Sequence, residues 1–153
     1  MCGPVNIHPT APSPRSAVTL AKPTRPEVLL LTDDDPDLVR FLEALLRSAG
    51  FRHIHVEDDP TQAMTLARRV RPDLVLTDVV KDGMTGFDLA EGLRATPETA
   101  SAAIVFCTAR SEPHRVARGR RLGEDYIVKP FDPIDLVDRI VVVLERTAGR
   151  RGR

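Results

Sequence analysis

Short runs of apolar residues alternate along the chain with longer segments in which apolar residues recur every three or four positions. Residues 28–31 form the first such run, and residues 38–49 carry the helical spacing until Gly50 interrupts it. A continuous apolar run of this length is typical of a strand buried on both faces, whereas the longer spacing is typical of an amphipathic helix. The segment therefore predicts one strand followed by one helix.

The same strand-then-helix pattern occurs four more times. The further strands are predicted at residues 53–56, 74–76, 103–107 and 126–128. The helix after the fourth strand, at about residues 115–122, is weakly patterned because four arginines crowd its few apolar positions. Strands that alternate with helices form parallel sheets covered on both faces, and right-handed crossovers favour an open arrangement. The predicted fold class is α/β, with a doubly wound five-stranded parallel sheet.

Composition divides the chain into three parts. Residues 1–26 contain six prolines and many short polar residues, a composition that cannot bury enough apolar surface to offset the entropy of ordering. We therefore expect a disordered leader at residues 1–26, one folded domain at residues 27–146 and a basic tail at residues 147–153. The length of 153 residues is usual for a single domain.

The net formal charge of zero hides an uneven distribution of charge. All 22 acidic residues but only 15 of the 22 basic residues lie between Glu27 and Glu145, which gives that segment a net charge of −7. Binding to duplex nucleic acid needs clustered lysine or arginine side chains that displace counterions from the phosphates. The charge of the predicted domain therefore argues against nucleic acid as its partner.

Two further features indicate where the protein works. The two cysteines, Cys2 and Cys107, are too few for a disulfide framework. No apolar stretch approaches the roughly 20 residues that span a bilayer, and the first 26 residues lack the apolar segment of a secretion signal. We therefore expect a cytoplasmic protein with no membrane partner.

Polar residues capable of chemistry follow four of the five predicted strands. They are Asp33, Asp34 and Asp35 after the first strand, Asp78 after the third, Thr108 after the fourth and Lys129 after the fifth. The carboxyl ends of parallel strands lie at one edge of the sheet, where ligands of doubly wound folds bind. Clustered carboxylates repel one another unless a cation lies among them, and oxygen ligands without histidine or cysteine suit Mg²⁺. The sequence therefore predicts a magnesium site at this edge.

The same residues have the properties that phosphoryl transfer requires. The reaction needs a nucleophile in line with the phosphorus atom, and positive or hydrogen-bonding groups around the equatorial oxygens. Asp78 is the candidate nucleophile, Lys129 a counter-charge and Thr108 a hydroxyl donor to one phosphoryl oxygen. Asp35 precedes Pro36, and this pair is better explained as the start of a helix, with the aspartate as its cap.

Four motifs resemble those of the receiver domains of bacterial two-component response regulators. Their sequences are V-L-L-L-T-D-D-D-P-D-L at residues 28–38, P-D-L-V-L-T-D-V-V-K-D-G-M-T-G-F-D-L at residues 72–89, F-C-T-A-R at residues 106–110 and Y-I-V-K-P-F at residues 126–131. They occur in the family's order, with Asp34 and Asp78 separated by 44 positions and Asp78 and Thr108 by 30. The resemblance covers about residues 27–145.

This resemblance implies specific roles at the candidate site. Asp33, Asp34, Asp78 and the backbone carbonyl of Val80 would hold Mg²⁺ or Mn²⁺, and Asp78 would accept the phosphoryl group from a phosphohistidine. Thr108 and Tyr126 would form a switch pair, in which the threonine moves toward the phosphoryl group and the aromatic ring rotates inward. The peptide bond between Lys129 and Pro130 would be cis.

The resemblance also implies the architecture and the partners. The fold would be flavodoxin-like, (βα)5, with strand order 2-1-3-4-5. The phosphoryl donor would be a histidine kinase or a phosphotransferase, and the chain would catalyse its own phosphorylation and dephosphorylation without being a turnover enzyme. Because only seven residues follow Arg146, we expect a stand-alone regulator similar to chemotaxis regulators. Its signal would leave through the surface of the fourth helix, fifth strand and fifth helix, to a protein effector or a homodimer mate.

Two departures from the family pattern keep other hypotheses open. Asp82 stands where many members have proline, and residues 123–126 are one residue shorter than the common G-A-x-x-Y form, which leaves the start of the fifth strand uncertain. One alternative function is a protein-interaction module that does not depend on phosphorylation. Another is a phosphatase-like hydrolase, which is weakened because no second acid stands two residues after Asp78. Tyr126 has the alternative interpretation of a half-buried strand aromatic.

Overall fold

A computed structural model describes residues 24–80 and 84–151 of the chain. Five strands alternate with five helices, as the apolar pattern predicts. The elements are β1 (Arg25–Thr32), α1 (Pro36–Ser48), β2 (Phe51–Val56), α2 (Pro60–Val70), β3 (Leu74–Thr77), α3 (Gly86–Ala95), β4 (Ala103–Thr108), α4 (Pro113–Leu122), β5 (Asp125–Val128) and α5 (Pro133–Arg151). Residues 1–23 of the predicted leader, and Asp82, lie outside the described residues.

The five strands form one parallel sheet in the order β2-β1-β3-β4-β5. Along β1, Leu29 and Leu31 pack into the core on the side of α1 and α5, whereas Leu30 packs on the side of α2 and α3. Strands β3 and β4 are buried at every position, which explains why their sequences are continuously apolar. The predicted α/β class, doubly wound sheet and strand order are confirmed.

Both boundaries of the folded domain differ from the predicted ones. Strand β1 begins at Arg25, within the segment predicted to be disordered, because the Arg25 N–H donates to the Gly50 carbonyl at 2.9 Å and the guanidinium lies 5.1 Å from the centroid of the Phe51 ring. Helix α5 continues to Arg151, through the segment predicted to be a tail, because the Arg151 guanidinium donates to the Asp73 carboxylate at 3.0 Å. The folded unit therefore extends beyond the predicted bounds of 27–146 at both ends.

Glu124 fixes the start of β5, which the shortened sequence left uncertain. Its N–H donates to the Ile104 carbonyl at 2.7 Å, and its carboxylate accepts from the Ile104 N–H at 2.5 Å and from the Arg94 guanidinium at 3.0 Å. Glu124 thus pairs with both the N–H and the carbonyl of Ile104 on β4. The regular parallel pairing of β5 begins one residue later, with Asp125 opposite Val105.

Within the described segments, no helix combines the length and the apolar character needed to cross a bilayer. The expectation of a cytoplasmic location stays a prediction.

Candidate functional site

The carboxyl edge of the sheet brings together side chains that are far apart in the sequence. Asp33 follows β1, Asp78 follows β3 and Lys129 follows β5, with Thr108 as the last residue of β4. Because β1, β3, β4 and β5 are neighbours that run in the same direction, their ends meet at this edge.

Lys129 bridges two carboxylates at the centre of the site. Its Nζ donates to Asp33 Oδ2 at 2.9 Å and to Asp78 Oδ2 at 3.1 Å. Burial opposes the charged form of this ammonium, but the hydrogen bonds and negative charges of Asp33 and Asp78 outweigh burial and raise the pKa of Lys129. The lysine therefore carries its positive charge throughout the physiological range. The Lys129–Pro130 peptide bond is cis, as the resemblance implies.

Asp78 is held as a carboxylate. Its Oδ1 accepts from the Val80 N–H at 3.1 Å, while Oδ2 faces Lys129. Burial disfavours ionisation of Asp78, but hydrogen bonds from the Thr108 hydroxyl and the Val80 N–H, together with the charge of Lys129, lower the pKa below its ordinary value of 3.8. The side chain is 13% exposed, so an incoming group can still reach its oxygens.

The three consecutive aspartates after β1 have different environments. Asp33 is buried, and its Oδ1 accepts from the Asp35 N–H at 2.9 Å. Asp35 Oδ1 accepts from the N–H groups of Asp37 and Leu38, so Asp35 caps helix α1 as predicted. Asp34 is exposed, and together with Asp33 it lines a surface cavity of about 420 Å³ beside the first turns of α1.

The chemistry of these donors suits a hard divalent cation. In residues 24–80 and 84–151, no three acidic, histidine or cysteine side chains lie close enough to form a complete metal cluster. The donors present are carboxylate oxygens of Asp33, Asp34 and Asp78, and one ammonium is the only cation that contacts them in this part of the chain. Mg²⁺ keeps several of its waters and takes few protein carboxylates, so the excess negative charge and the open arrangement fit this ion.

Thr108 and Tyr126 are linked through the backbone of one residue, Arg110. Thr108 is buried, and its Oγ1 accepts from the Arg110 N–H at 3.3 Å. The Tyr126 hydroxyl donates to the Arg110 carbonyl at 2.6 Å. Tyr126 is only 2% exposed, so the residue is buried and not half-buried, and its role in a switch pair stays a prediction. Burial of the phenol, followed by the charge of Glu112, raises the pKa of Tyr126.

Two glycines that the sequence analysis did not single out shape the surroundings of the site. A Cβ added to Gly86 would overlap the carbonyl oxygen of Asp78, so glycine allows α3 to begin directly against the loop that carries this aspartate. A Cβ added to Gly119 would lie 2.7 Å from Cε2 of Tyr126. The signal that could have found Gly119 is its place inside a predicted helix, where glycine is unfavourable unless packing requires it.

Comparisons with known proteins agree with this geometry. The model of the response regulator receiver domain family matches residues 11–141. The DNA-binding response regulator MtrA of Mycolicibacterium smegmatis is 41% identical over 119 residues, covering 77% of this chain and 50% of that protein. The phosphate regulon transcriptional regulatory protein PhoB of Pseudomonas aeruginosa is 32% identical over 122 residues, covering 79% of this chain and 53% of that protein. The chain thus spans about half the length of these curated relatives.

Solved structures show the same fold. A crystal structure of a putative response regulator from Chloroflexus aurantiacus has a TM-score of 0.74 and 30% identity, and the match covers 79% of this chain and 99% of that one. The chemotaxis response regulator CheY4 of Vibrio cholerae has a TM-score of 0.67 at 24% identity, covering 79% and 98% of the two chains. On the family match and the identity to these relatives, the chain belongs to the response regulator receiver domain family.

Proposed function

We propose that Asp78 accepts a phosphoryl group from a phosphohistidine of a histidine kinase or phosphotransferase, and that the change is reported at the surface of α4, β5 and α5. The observation that carries this proposal is the Lys129 ammonium held between Asp33 and Asp78. This arrangement places the ionised, partly exposed carboxylate of Asp78 beside a fixed positive charge, at the edge of the sheet where this fold binds ligands.

In the proposed reaction, an Oδ atom of Asp78 attacks the phosphorus of the donor. A P–O bond forms, the P–N bond to the imidazole breaks, and the imidazole leaves with the bonding electron pair. Lys129 neutralises charge on the phosphoryl oxygens, and the Thr108 hydroxyl donates a hydrogen bond to one of them. Mg²⁺ or Mn²⁺, held by Asp33, Asp34, Asp78 and the Val80 carbonyl, supplies further positive charge when bound.

Phosphorylation by a small donor tests this proposal and its metal requirement. Incubation of the protein with acetyl phosphate and Mg²⁺ should add the mass of one phosphoryl group, measured by intact-protein mass spectrometry. Prior removal of divalent cations with EDTA should abolish the gain, because one ammonium does not offset the charge of three carboxylates and a phosphoryl group. Labelling that is equal with and without EDTA would contradict the metal requirement, and no labelling in Mg²⁺ would contradict the proposal.

An exposed apolar surface beside the site supports docking of a protein donor. Ile134 in the first turn of α5 is 73% exposed, and Phe41 on α1 is 47% exposed with its ring centroid 6.5 Å from that of Phe131. Phe131 follows Lys129-Pro130 directly, which places its ring two positions after the lysine that contacts Asp78. Exposed apolar groups of this kind are typical of protein interaction sites.

Replacing Ile134 with aspartate should slow phosphoryl transfer from a phosphohistidine protein that labels the wild type. We expect about a tenfold loss, equivalent to about 1.4 kcal/mol, because a charge would have to be buried where an apolar anchor docks. Val142→Asp is the matched control, since Val142 is an exposed valine farther along α5. Transfer is measured as radiolabel passed per unit time, and equal slowing by both variants would contradict docking at Ile134.

The remaining expectations on partners stay predictions. The net charge of −7 between Glu27 and Glu145 favours a protein effector or a second copy of the chain over nucleic acid as the direct partner of this segment. The curated relatives are DNA-binding and transcriptional regulators about twice as long as the matched segment, so the expectation of a stand-alone regulator also stays a prediction.

A further inference from the structure

Helix α4 rests on the Tyr126 ring through a glycine. Gly119 is the buried residue of this helix, and a Cβ at that position would lie 2.7 Å from Cε2 of Tyr126 and 3.3 Å from Cδ2 of Phe106. Its φ angle is not positive, so the backbone conformation does not require glycine. The requirement at position 119 is therefore space for the aromatic ring.

The same ring is connected to the candidate phosphorylation site by a short series of contacts. The Arg110 N–H donates to Thr108 Oγ1 at 3.3 Å, and the Arg110 carbonyl accepts from the Tyr126 hydroxyl at 2.6 Å. One edge of the ring, formed by Cδ2 and Cε2, lies against Gly119. A displacement of Thr108 toward Asp78 would thus act on the backbone of Arg110, then on the Tyr126 hydroxyl, and through the ring on α4.

We propose that Gly119 is a positioning residue that couples the Tyr126 ring to helix α4. Because it has no side chain, the helix can lie directly on the inward ring, and a change in one requires a change in the other. Glycine is unfavourable in a helix interior compared with alanine, which makes this close contact the physical reason for its presence. The coupling between the ring and Asp78 rests on the proposed function, whereas the packing of α4 against the ring does not.

The sole tyrosine of the chain provides a direct readout, since the protein has no tryptophan. In the whole 153-residue chain, Gly119→Ala should displace the ring and increase acrylamide quenching of Tyr126 fluorescence several-fold. Gly149→Ala is the matched control, because Gly149 is also helical and a Cβ there would meet nothing within 4 Å. Equal quenching of wild type and Gly119→Ala would overturn the proposal.

A double-variant comparison keeps the test decisive if Gly119→Ala is poorly folded. Thermal unfolding followed by circular dichroism should show a lower midpoint for Gly119→Ala in the wild-type background. In the Tyr126→Leu background, where the ring is absent, the same alanine should leave the midpoint unchanged or raise it, as Gly149→Ala should do in both backgrounds. A loss of the same size with and without the ring would overturn the proposal.

Phosphorylation separates this inference from the proposed function. With acetyl phosphate and Mg²⁺, the wild type should gain one phosphoryl group and change the amide hydrogen exchange of residues 113–122. Gly119→Ala should still gain the group, but exchange in α4 should no longer respond. If Gly119→Ala is labelled and its α4 responds as in the wild type, the inference is overturned and the proposed function is not. If the wild type is not labelled, the proposed function is overturned, and the quenching comparison still tests the contact between α4 and the Tyr126 ring.

Discussion

Replacing Asp78 with asparagine should abolish phosphorylation by acetyl phosphate and Mg²⁺ while leaving the fold intact. The amide has no anionic oxygen to attack phosphorus, whereas the pKa of Asp78 below its ordinary value keeps the wild-type carboxylate ionised at neutral pH. Asparagine has nearly the same shape, and its single amide oxygen can still accept from either Lys129 or the Val80 N–H, which face different oxygens of Asp78. Intact-protein mass spectrometry should show complete loss of the added phosphoryl mass, and circular dichroism should show an unchanged spectrum.

Asp58→Asn is the matched control for this experiment. Asp58 follows β2 at the same edge of the sheet and lines the cavity that includes Asp33 and Asp34. Lys129 makes its two ion pairs elsewhere, with Asp33 and Asp78. The control should therefore label like the wild type. Labelling of Asp78→Asn to the wild-type level would refute the assignment of the acceptor.

The same pair of variants distinguishes the alternative functions. A protein-interaction module that is independent of phosphorylation would bind its partner equally well with Asp78 or asparagine. A hydrolase would release phosphate from a phosphate ester over many turnovers, and receiver domains are signalling proteins that are not turnover enzymes. Single labelling of Asp78 combined with a change in partner binding would exclude both alternatives.

Much of the fold was predictable because the sheet is buried on both faces. The apolar runs of β3 and β4 reflect complete burial, and the helical spacing after residues 28–31 reflects the two-sided covering of the sheet. The positions of Asp33, Asp78 and Lys129 followed from the same pattern, since residues that end neighbouring parallel strands must share one edge. The sequence could therefore place these groups together although Asp33 and Lys129 are 96 positions apart.

What the sequence could not predict depends on contacts between distant segments. Arg25 and Arg151 read as parts of a leader and a tail, because their partners Phe51 and Asp73 become neighbours only in the folded chain. Gly119 was not singled out in the weakly patterned helix, because the demand for space at that position comes from Tyr126 on β5. Local patterns specify which elements form, whereas boundaries and tight contacts are set by tertiary packing.

Replacing Lys129 with methionine should produce a large loss of stability. The substitution leaves the carboxylates of Asp33 and Asp78, whose side chains are 7% and 13% exposed, without their ammonium partner. Removing one member of a buried ion pair costs roughly 3–5 kcal/mol, and the residual exposure of these groups reduces the expected loss to about 2–3 kcal/mol. The free energy of unfolding is measured by urea denaturation. Arg40→Met, which breaks an exposed ion pair with Asp37, should cost less than about 1 kcal/mol.

The pH dependence of that loss identifies its electrostatic origin. The lowered pKa of Asp78 stabilises the wild type above about 3.8, the ordinary value of an aspartate, and this contribution is lost as the pH falls through the folded-state pKa. The raised pKa of Lys129 contributes stability below its ordinary value of 10.5 that is lost as the pH rises through the folded-state pKa. The difference between wild type and Lys129→Met should therefore be greatest between these limits and narrow at lower pH, where protonated carboxylates no longer need a counter-charge. A difference that stays constant from pH 7 to pH 3 would show that lost packing of the lysine stem, rather than lost charge, destabilises the variant.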